Sequence, residues 1–136
     1  HDIGKYEIPE IISKPGKLDT KEIAIMKRHP EFGGNIVRNF IRNSKVVEGI
    51  LYHHERVDGH GYPKGLKGSE IPLYARIIAI ADAFDAMVSH RCYKSAISHD
   101  KAILELAKGA GTQFDINIVN IFMSIYEKDI VFPRAM

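Results

Sequence analysis

Residues 53–63 have the sequence HHERVDGHGYP and follow a segment whose apolar residues recur at helical spacing. His53 comes three residues after Ile50, and His54 comes three residues after Leu51. Both imidazoles are therefore predicted to project toward the buried side of that helix. Because imidazole is a preferred ligand of first-row transition metals, the stretch predicts a metal site at the rim of a core.

The other candidate metal ligands are scattered along the chain, at His1, Asp2, His29 and Asp82. This spread predicts a site where several helices meet, and not a local zinc hairpin. A carboxylate has two oxygens and can bridge two metals, whereas an imidazole cannot. The adjacent His1 and Asp2 could then serve two metals about 3.5–4 Å apart, which would clamp a phosphate. Mixed His and Asp ligands suit iron, manganese or zinc better than magnesium or calcium.

Lys5 lies three residues after Asp2 and four after His1, so we expect it over the same helix face. Its ammonium could neutralise a phosphate oxygen or protonate a leaving alkoxide. Structural interpretations stay open beside these roles, since a lone His near an apolar face is usually a core or surface residue. Glu55 and Arg56 are interpreted as a structural ion pair or as residues that hold the loop.

Composition places the chain among globular domains. The 136 residues fit one domain, and 45% hydrophobic with 26% charged residues predict a packed core. A net charge of +2 is too small to indicate wrapping of DNA or RNA. The single cysteine, Cys92, excludes an internal disulfide framework and fits a reducing compartment. The apolar runs are far shorter than a membrane span, so we expect a cytoplasmic domain without membrane contact.

Nearly every segment is predicted to be helical, and no convincing alternating pattern predicts a sheet. Residues 1–7 are interpreted as the end of a helix, while residues 9–18 and 57–71 are predicted loops. Asp19 and Glu22 form a capping-box pattern for a helix to about His29, and Ser44 is the expected cap of the helix before His53. Further helices are predicted over 72–90, 98–108 and from 115 onward. The 72–90 helix is predicted to bury Ile77, Ile80, Ala81, Phe84, Met87 and Val88.

Taken in order, the motifs of this chain resemble those of the HD-GYP domain family over almost its whole length. An HD pair alone is shared by a broad phosphohydrolase superfamily, but the ordered set is specific. Cys92 and Ile116 stand where prolines are common in the family. The matching motifs are His1-Asp2-Ile3-Gly4-Lys5, Lys14-Pro15-Gly16, His29-Pro30, residues 53–63, Gly65-Leu66, Ile71-Pro72-Leu73, Ala81-Asp82, Phe84-Asp85-Ala86-Met87, Arg91 with Tyr93-Lys94, and Phe114-Asp115.

The resemblance implies an all-α HD-domain helical bundle that holds two or three divalent metals, iron or manganese first and zinc as a further option. It implies hydrolysis of cyclic di-GMP to linear pGpG, GMP or both in bacterial second-messenger signalling. Asp2 would bridge the metals, and Lys5 would contact the substrate phosphate and act as the acid. By motif, the implied metal ligands are His1, Asp2, His29, His53, His54 and Asp82.

The resemblance also implies substrate-binding residues outside the ligand set. Gly61, Tyr62 and Pro63 would line the substrate and dock a partner, with GGDEF-domain proteins as candidates. Arg91 and Lys94 would bind phosphate, since a guanidinium suits the fork geometry of a phosphate and an ammonium acts as a point charge.

Family members carry helices before the HD pair, with a further His ligand and, in three-metal members, a Glu. We therefore expect residues 1–136 to be an N-terminally truncated HD-GYP domain that lacks these helices and any sensory domain, and that is inactive alone. Two alternatives stay open. One is a non-catalytic module that binds the cyclic dinucleotide or docks a GGDEF domain, and the other is hydrolysis of a different nucleotide at the same centre.

Overall fold

The structure is a computed structural model, and it describes residues 1–90 and 95–127. Within these ranges the chain forms α-helices and two short 3-10 helices, Ile3–Glu7 and Gly68–Glu70, without a β-strand. The all-α prediction is confirmed. No helix in these ranges is long and apolar enough to cross a membrane. The α-helices are α1 Pro9–Ile12, α2 Thr20–Met26, α3 His29–Arg38, α4 Ser44–Tyr52, α5 Leu73–Val88, α6 His99–Gly109 and α7 Ile116–Glu127.

Local capping fixes where several helices begin. The Asp19 side chain accepts a hydrogen bond from the Glu22 backbone N–H at 2.9 Å, and Glu22 accepts one from the Asp19 N–H at 2.8 Å. The predicted capping box is confirmed. Ser44 is not the cap of α4, because Asn43 accepts from the Lys45 N–H at 3.0 Å and Ser44 is the first helical residue.

Three predicted boundaries were wrong, and each has a local cause. The 9–18 segment is not all loop, since Pro9 starts the short helix α1, where its missing N–H costs nothing. Helix α2 ends at Met26, and His29 instead opens α3 with Pro30 in its first turn. Residues 1–7 are not the end of an α-helix, because residues 3–7 form a 3-10 helix with Asp2 as its N-cap.

Two apolar clusters form the core. One combines Ile80, Leu106, Phe114 and Val119 from α5 to α7, and the other lies between α3 and α4. Helix α5 packs against α4, α6 and α7. The prediction that Ile77 is buried was wrong, because Ile77 is 45% exposed, whereas Ile80, three residues later, is 1% exposed. Ala81 is also exposed.

Gly4 allows the chain start to lie directly on α3. A Cβ atom at this position would lie 1.9 Å from the carbonyl oxygen of His29 and 2.4 Å from the backbone nitrogen of Gly33. No side chain fits in that space, so only glycine permits the approach. The contact places the His1-Asp2 pair beside His29.

Candidate metal centre

Four histidines from three parts of the chain meet at the end of α4. His53 is the C-cap of α4 and His54 follows it in the turn, so the pair lies at the end of the helix, as the sequence predicted. The ring centroids of His53 and His54 are 4.1 Å apart, and those of His29 and His54 are 5.0 Å apart. The His1 ring lies 4.9 Å from His53. The structure therefore brings together imidazoles that the sequence separates by more than fifty residues.

His29 and His53 are both oriented by backbone carbonyls. The Nδ1 atom of His29 lies 2.8 Å from the Met26 oxygen, and that of His53 lies 2.6 Å from the Ile50 oxygen. A carbonyl only accepts hydrogen bonds, so each Nδ1 carries a proton, and whenever the ring is neutral its Nε2 carries a lone pair that can bind a metal. Both side chains are almost fully buried, which holds these orientations.

The Nε2 atoms of His29 and His53 face each other at 3.3 Å. Two lone pairs at this distance repel each other unless a cation lies between them. A metal about 2.0–2.1 Å from each nitrogen, at a tetrahedral angle, places the two nitrogens about 3.3 Å apart. His54 completes a trio with His29 and His53 whose ligand atoms lie within 4.8 Å of one another. The donor set and its spacing therefore fit a divalent transition metal.

Asp2 lies between two groups of imidazoles. Its Oδ1 atom is 3.4 Å from His29 Nε2, and its Oδ2 atom is 3.7 Å from His1 Nε2. With His1 and His53 it forms a second trio within 4.8 Å. Burial acts to raise the pKa of Asp2, but contacts with His29 and Lys5 outweigh it and hold the pKa well below its usual range. Each oxygen faces a different histidine, as bridging would require.

Lys5 contacts the same carboxylate. Its Nζ atom lies 2.5 Å from Asp2 Oδ2. Residues three apart eclipse each other in a 3-10 helix, so the 3-10 form of this segment aligns Lys5 with Asp2 more closely than the predicted α-helix would. The ammonium is thus held at the edge of the histidine cluster.

Asp82 reaches the cluster from the middle of α5. Its Oδ1 atom lies 3.6 Å from His1 Nε2. This contact raises the pKa of His1 and lowers the pKa of Asp82. All six side chains predicted as ligands therefore converge, although their role as ligands stays a prediction.

Burial keeps the paired histidines in the form that binds metals. The pKa of His53 and that of His54 are both lowered to about 4, chiefly because burial disfavours the charged ring. Neighbouring imidazoles act in the same direction. Near neutral pH these two rings are uncharged and need lose no proton to bind a metal.

Glu55 holds the loop that follows the paired histidines. Its side chain is buried, and its two oxygens accept hydrogen bonds from the backbone N–H groups of Lys64, Gly65 and Leu66 at 2.6, 3.1 and 3.0 Å. The interpretation that Glu55 holds the loop is confirmed, whereas the alternative prediction of an ion pair between Glu55 and Arg56 was wrong. Arg56 instead binds both oxygens of Asp58, at 3.1 and 2.6 Å.

The loop places Tyr62 against the cluster. The Tyr62 ring stacks on His54, with centroids 4.8 Å and planes 26° apart, and the Tyr62–Pro63 peptide bond is cis. A Cβ at Gly61 would lie 2.4 Å from the Arg56 nitrogen, so the loop crosses the backbone at residues 54–56 closely. Burial raises the pKa of Tyr62 to about 12.

A cleft of about 360 Å³ opens beside the cluster. His53, His54, Tyr62 and Asp82 are among the side chains that line it, and so is Lys27 at the end of α2. The sequence did not single out Lys27, because an exposed lysine at a helix end has no periodic signal. Arg91 and Lys94, predicted to bind phosphate, lie outside the described residues.

A family model described as HD domain matches residues 1–118. The chain belongs to the HD domain family. Among solved structures, an HDG"Y"P protein from Bdellovibrio bacteriovorus superposes with a TM-score of 0.68 at 21% identity, covering 93% of this chain and 40% of that one. At that identity the likeness concerns the HD fold, and it agrees with the resemblance seen in the motifs.

Curated relatives of this HD domain are named as cyclic-dinucleotide phosphodiesterases. A cyclic di-GMP phosphodiesterase of Vibrio cholerae serotype O1 is 43% identical over 94% of this chain and 28% of its own length. A 3'3'-cGAMP-specific phosphodiesterase 2 of the same organism is 41% identical over 100% of this chain and 27% of its own length. The chain thus spans less than a third of either relative, and the HD-GYP resemblance is confirmed at the level of the family.

Proposed function

We propose that this HD domain is the catalytic part of a metal-dependent phosphodiesterase that hydrolyses cyclic di-GMP to pGpG, GMP or both. The metals would be two or three divalent ions, with iron or manganese preferred and zinc as a further option. His1, Asp2, His29, His53, His54 and Asp82 would hold them. GGDEF-domain docking at residues 61–63 and a cytoplasmic location stay predictions.

The observation that carries the proposal is the 3.3 Å separation of the His29 and His53 Nε2 atoms. Both rings are fixed by backbone acceptors on their other nitrogen, so neither can turn away without losing a hydrogen bond. Such orientation is typical of metal-binding histidines. The carboxylate of Asp2, with one oxygen near His29 and the other near His1, would be the donor that bridges to a second ion.

Bound divalent ions would supply polarisation of the phosphoryl oxygens and activation of a water molecule. In the hydrolysis, a water oxygen forms a bond to phosphorus while the bond from phosphorus to a ribose 3' oxygen breaks. Lys5 is the candidate proton donor to that leaving oxygen, because its ammonium already lies at the edge of the centre. Tyr62, stacked on His54, would close one side of the cleft against water.

A second candidate substrate is 3'3'-cGAMP, which the name of the relative at 41% identity favours. The two cyclic dinucleotides share their phosphodiester backbone and differ in one base, so the same centre can cleave either. The non-catalytic alternative predicts binding of a dinucleotide without cleavage.

The test uses the full-length protein purified anaerobically, with its metal content measured and its activity assayed with manganese or ferrous iron on both cyclic dinucleotides. We expect bound metal and linear product. His53→Gln should lose metal and activity, whereas His99→Gln should lose neither, since His99 is exposed at the start of α6 and does not line the cleft. Bound metal without turnover of either dinucleotide would reject catalysis in favour of the non-catalytic module.

A further inference from the structure

Lys27 differs from the other cations of the candidate centre in forming no ion pair with a carboxylate of the described residues. Among residues 1–90 and 95–127, Lys5 is paired with Asp2, and Arg56 is held by both oxygens of Asp58. No carboxylate in this part of the chain forms an ion pair or hydrogen bond with the Lys27 ammonium. Of the lysines and arginines that line the cleft there, Lys27 alone is available to an anion.

The position of this ammonium is defined by Tyr62. The Lys27 Nζ atom lies 5.4 Å from the centroid of the Tyr62 ring, within the range of a cation–π contact. Tyr62 in turn stacks on His54. Lys27 is also the C-cap of α2, two residues before the buried His29. The backbone of Lys27 is therefore close in sequence to one histidine of the cluster, and its side chain lies near the ring that stacks on another.

Lys27 lies beyond the inner group of ligands, on the rim of the cleft. Lys27 contacts Tyr62, which stacks on the cluster. Lys5, by contrast, contacts the candidate bridging carboxylate of Asp2 directly. A phosphate that reacts at the centre would meet Lys5 first. A cyclic dinucleotide has a second phosphodiester on the opposite side of its ring, which must lie farther out when the first is at the centre.

We propose that Lys27 binds the second, non-reacting phosphate of the cyclic dinucleotide. This inference rests on the proposed phosphodiesterase function and deepens it. The Tyr62 ring lies beside the exposed ammonium and leaves its charge available to a phosphate. Lys27 thereby distinguishes a substrate with two phosphates from one with a single phosphate.

The test compares cyclic di-GMP with bis(p-nitrophenyl) phosphate, which has one phosphate, as substrates of the full-length protein. Lys27→Met should raise the KM for cyclic di-GMP about tenfold, as loss of a charge-assisted hydrogen bond implies. The ratio of the two KM values should rise by nearly the same factor. Lys27→Arg, which keeps the charge, should stay within about threefold of the unmodified protein for both substrates.

Lys21→Met is the matched control, because Lys21 is an exposed lysine of the same helix that does not line the cleft. It should leave both KM values unchanged. Equal rises for the two substrates, no rise for either, or loss of metal from Lys27→Met would overturn the inference while leaving the phosphodiesterase function intact. Absence of hydrolysis by the unmodified protein would overturn the proposed function and this inference with it.

Discussion

The phenol ring of Tyr62 stacks on the imidazole of His54, with centroids 4.8 Å apart. His54 is also one of the three histidines that could hold one metal. A residue from the loop thus covers one face of a candidate ligand. Groups that orient a metal ligand typically change metal affinity by about 10–100-fold, so loss of the stack should lower the affinity for the metal measurably.

We expect Tyr62→Ala to weaken metal binding by at least about tenfold and Tyr62→Phe to preserve it, since phenylalanine keeps the ring. Competition with a chelator of known affinity measures the change. Tyr6→Ala is the control, as Tyr6 is 87% exposed. Equal affinities for Tyr62→Ala and the unmodified protein would show that the stack has no role in orienting His54.

Glu55→Gln should destabilise the protein by about 1–3 kcal/mol, because an amide offers one acceptor oxygen where the carboxylate serves three backbone N–H groups. Urea unfolding measures the effect. Glu31→Gln, a change at an exposed glutamate, should alter the free energy of unfolding by less than about 0.5 kcal/mol. Similar unfolding midpoints for the two variants would contradict the role of Glu55 in holding the loop.

Gly4→Ala should separate the chain start from α3, since its Cβ would lie 1.9 Å from the His29 oxygen. We expect a loss of stability of about 1–3 kcal/mol and a drop in metal occupancy, because His1 and Asp2 move with residue 4. Elemental analysis and thermal unfolding measure both. Gly16→Ala, where a Cβ meets nothing within 4 Å, should keep its metal despite a strained φ of +93°. Full occupancy in Gly4→Ala would refute the close-packing account.

The stability of the chelator-treated protein should fall as the pH drops from about 6.5 to about 4. In the folded state the pKa of His53 and that of His54 are about 4, whereas an unfolded chain titrates near 6.5. The unfolded state binds more protons between these values, so this stabilisation is complete above pH 6.5 and is lost as pH falls through 4. Urea midpoints across this range check it. A His53→Gln/His54→Gln double variant should show a flatter pH dependence.

The sequence was sufficient to predict the all-α fold and to select side chains that do converge. His29 and Asp82 illustrate why, since each forms part of a motif with a defined place in the family pattern. The sequence was not sufficient to predict where helices begin and end near prolines, as α1 and the start of α3 show. It also missed Lys27, because the position of that side chain depends on a tertiary contact with Tyr62 that no spacing along the chain encodes.

His53 belongs to both trios of potential ligands, with His29 and His54 on one side and with His1 and Asp2 on the other. Its Nδ1 is already committed to the Ile50 carbonyl, which leaves one nitrogen to coordinate an ion. Only one of the two trios can be complete at a time, so an ion that takes His53 at one position weakens the binding of a second ion at the other. At limiting supply each molecule should take up one ion before it binds a second, giving a stepwise rather than a uniform loading curve.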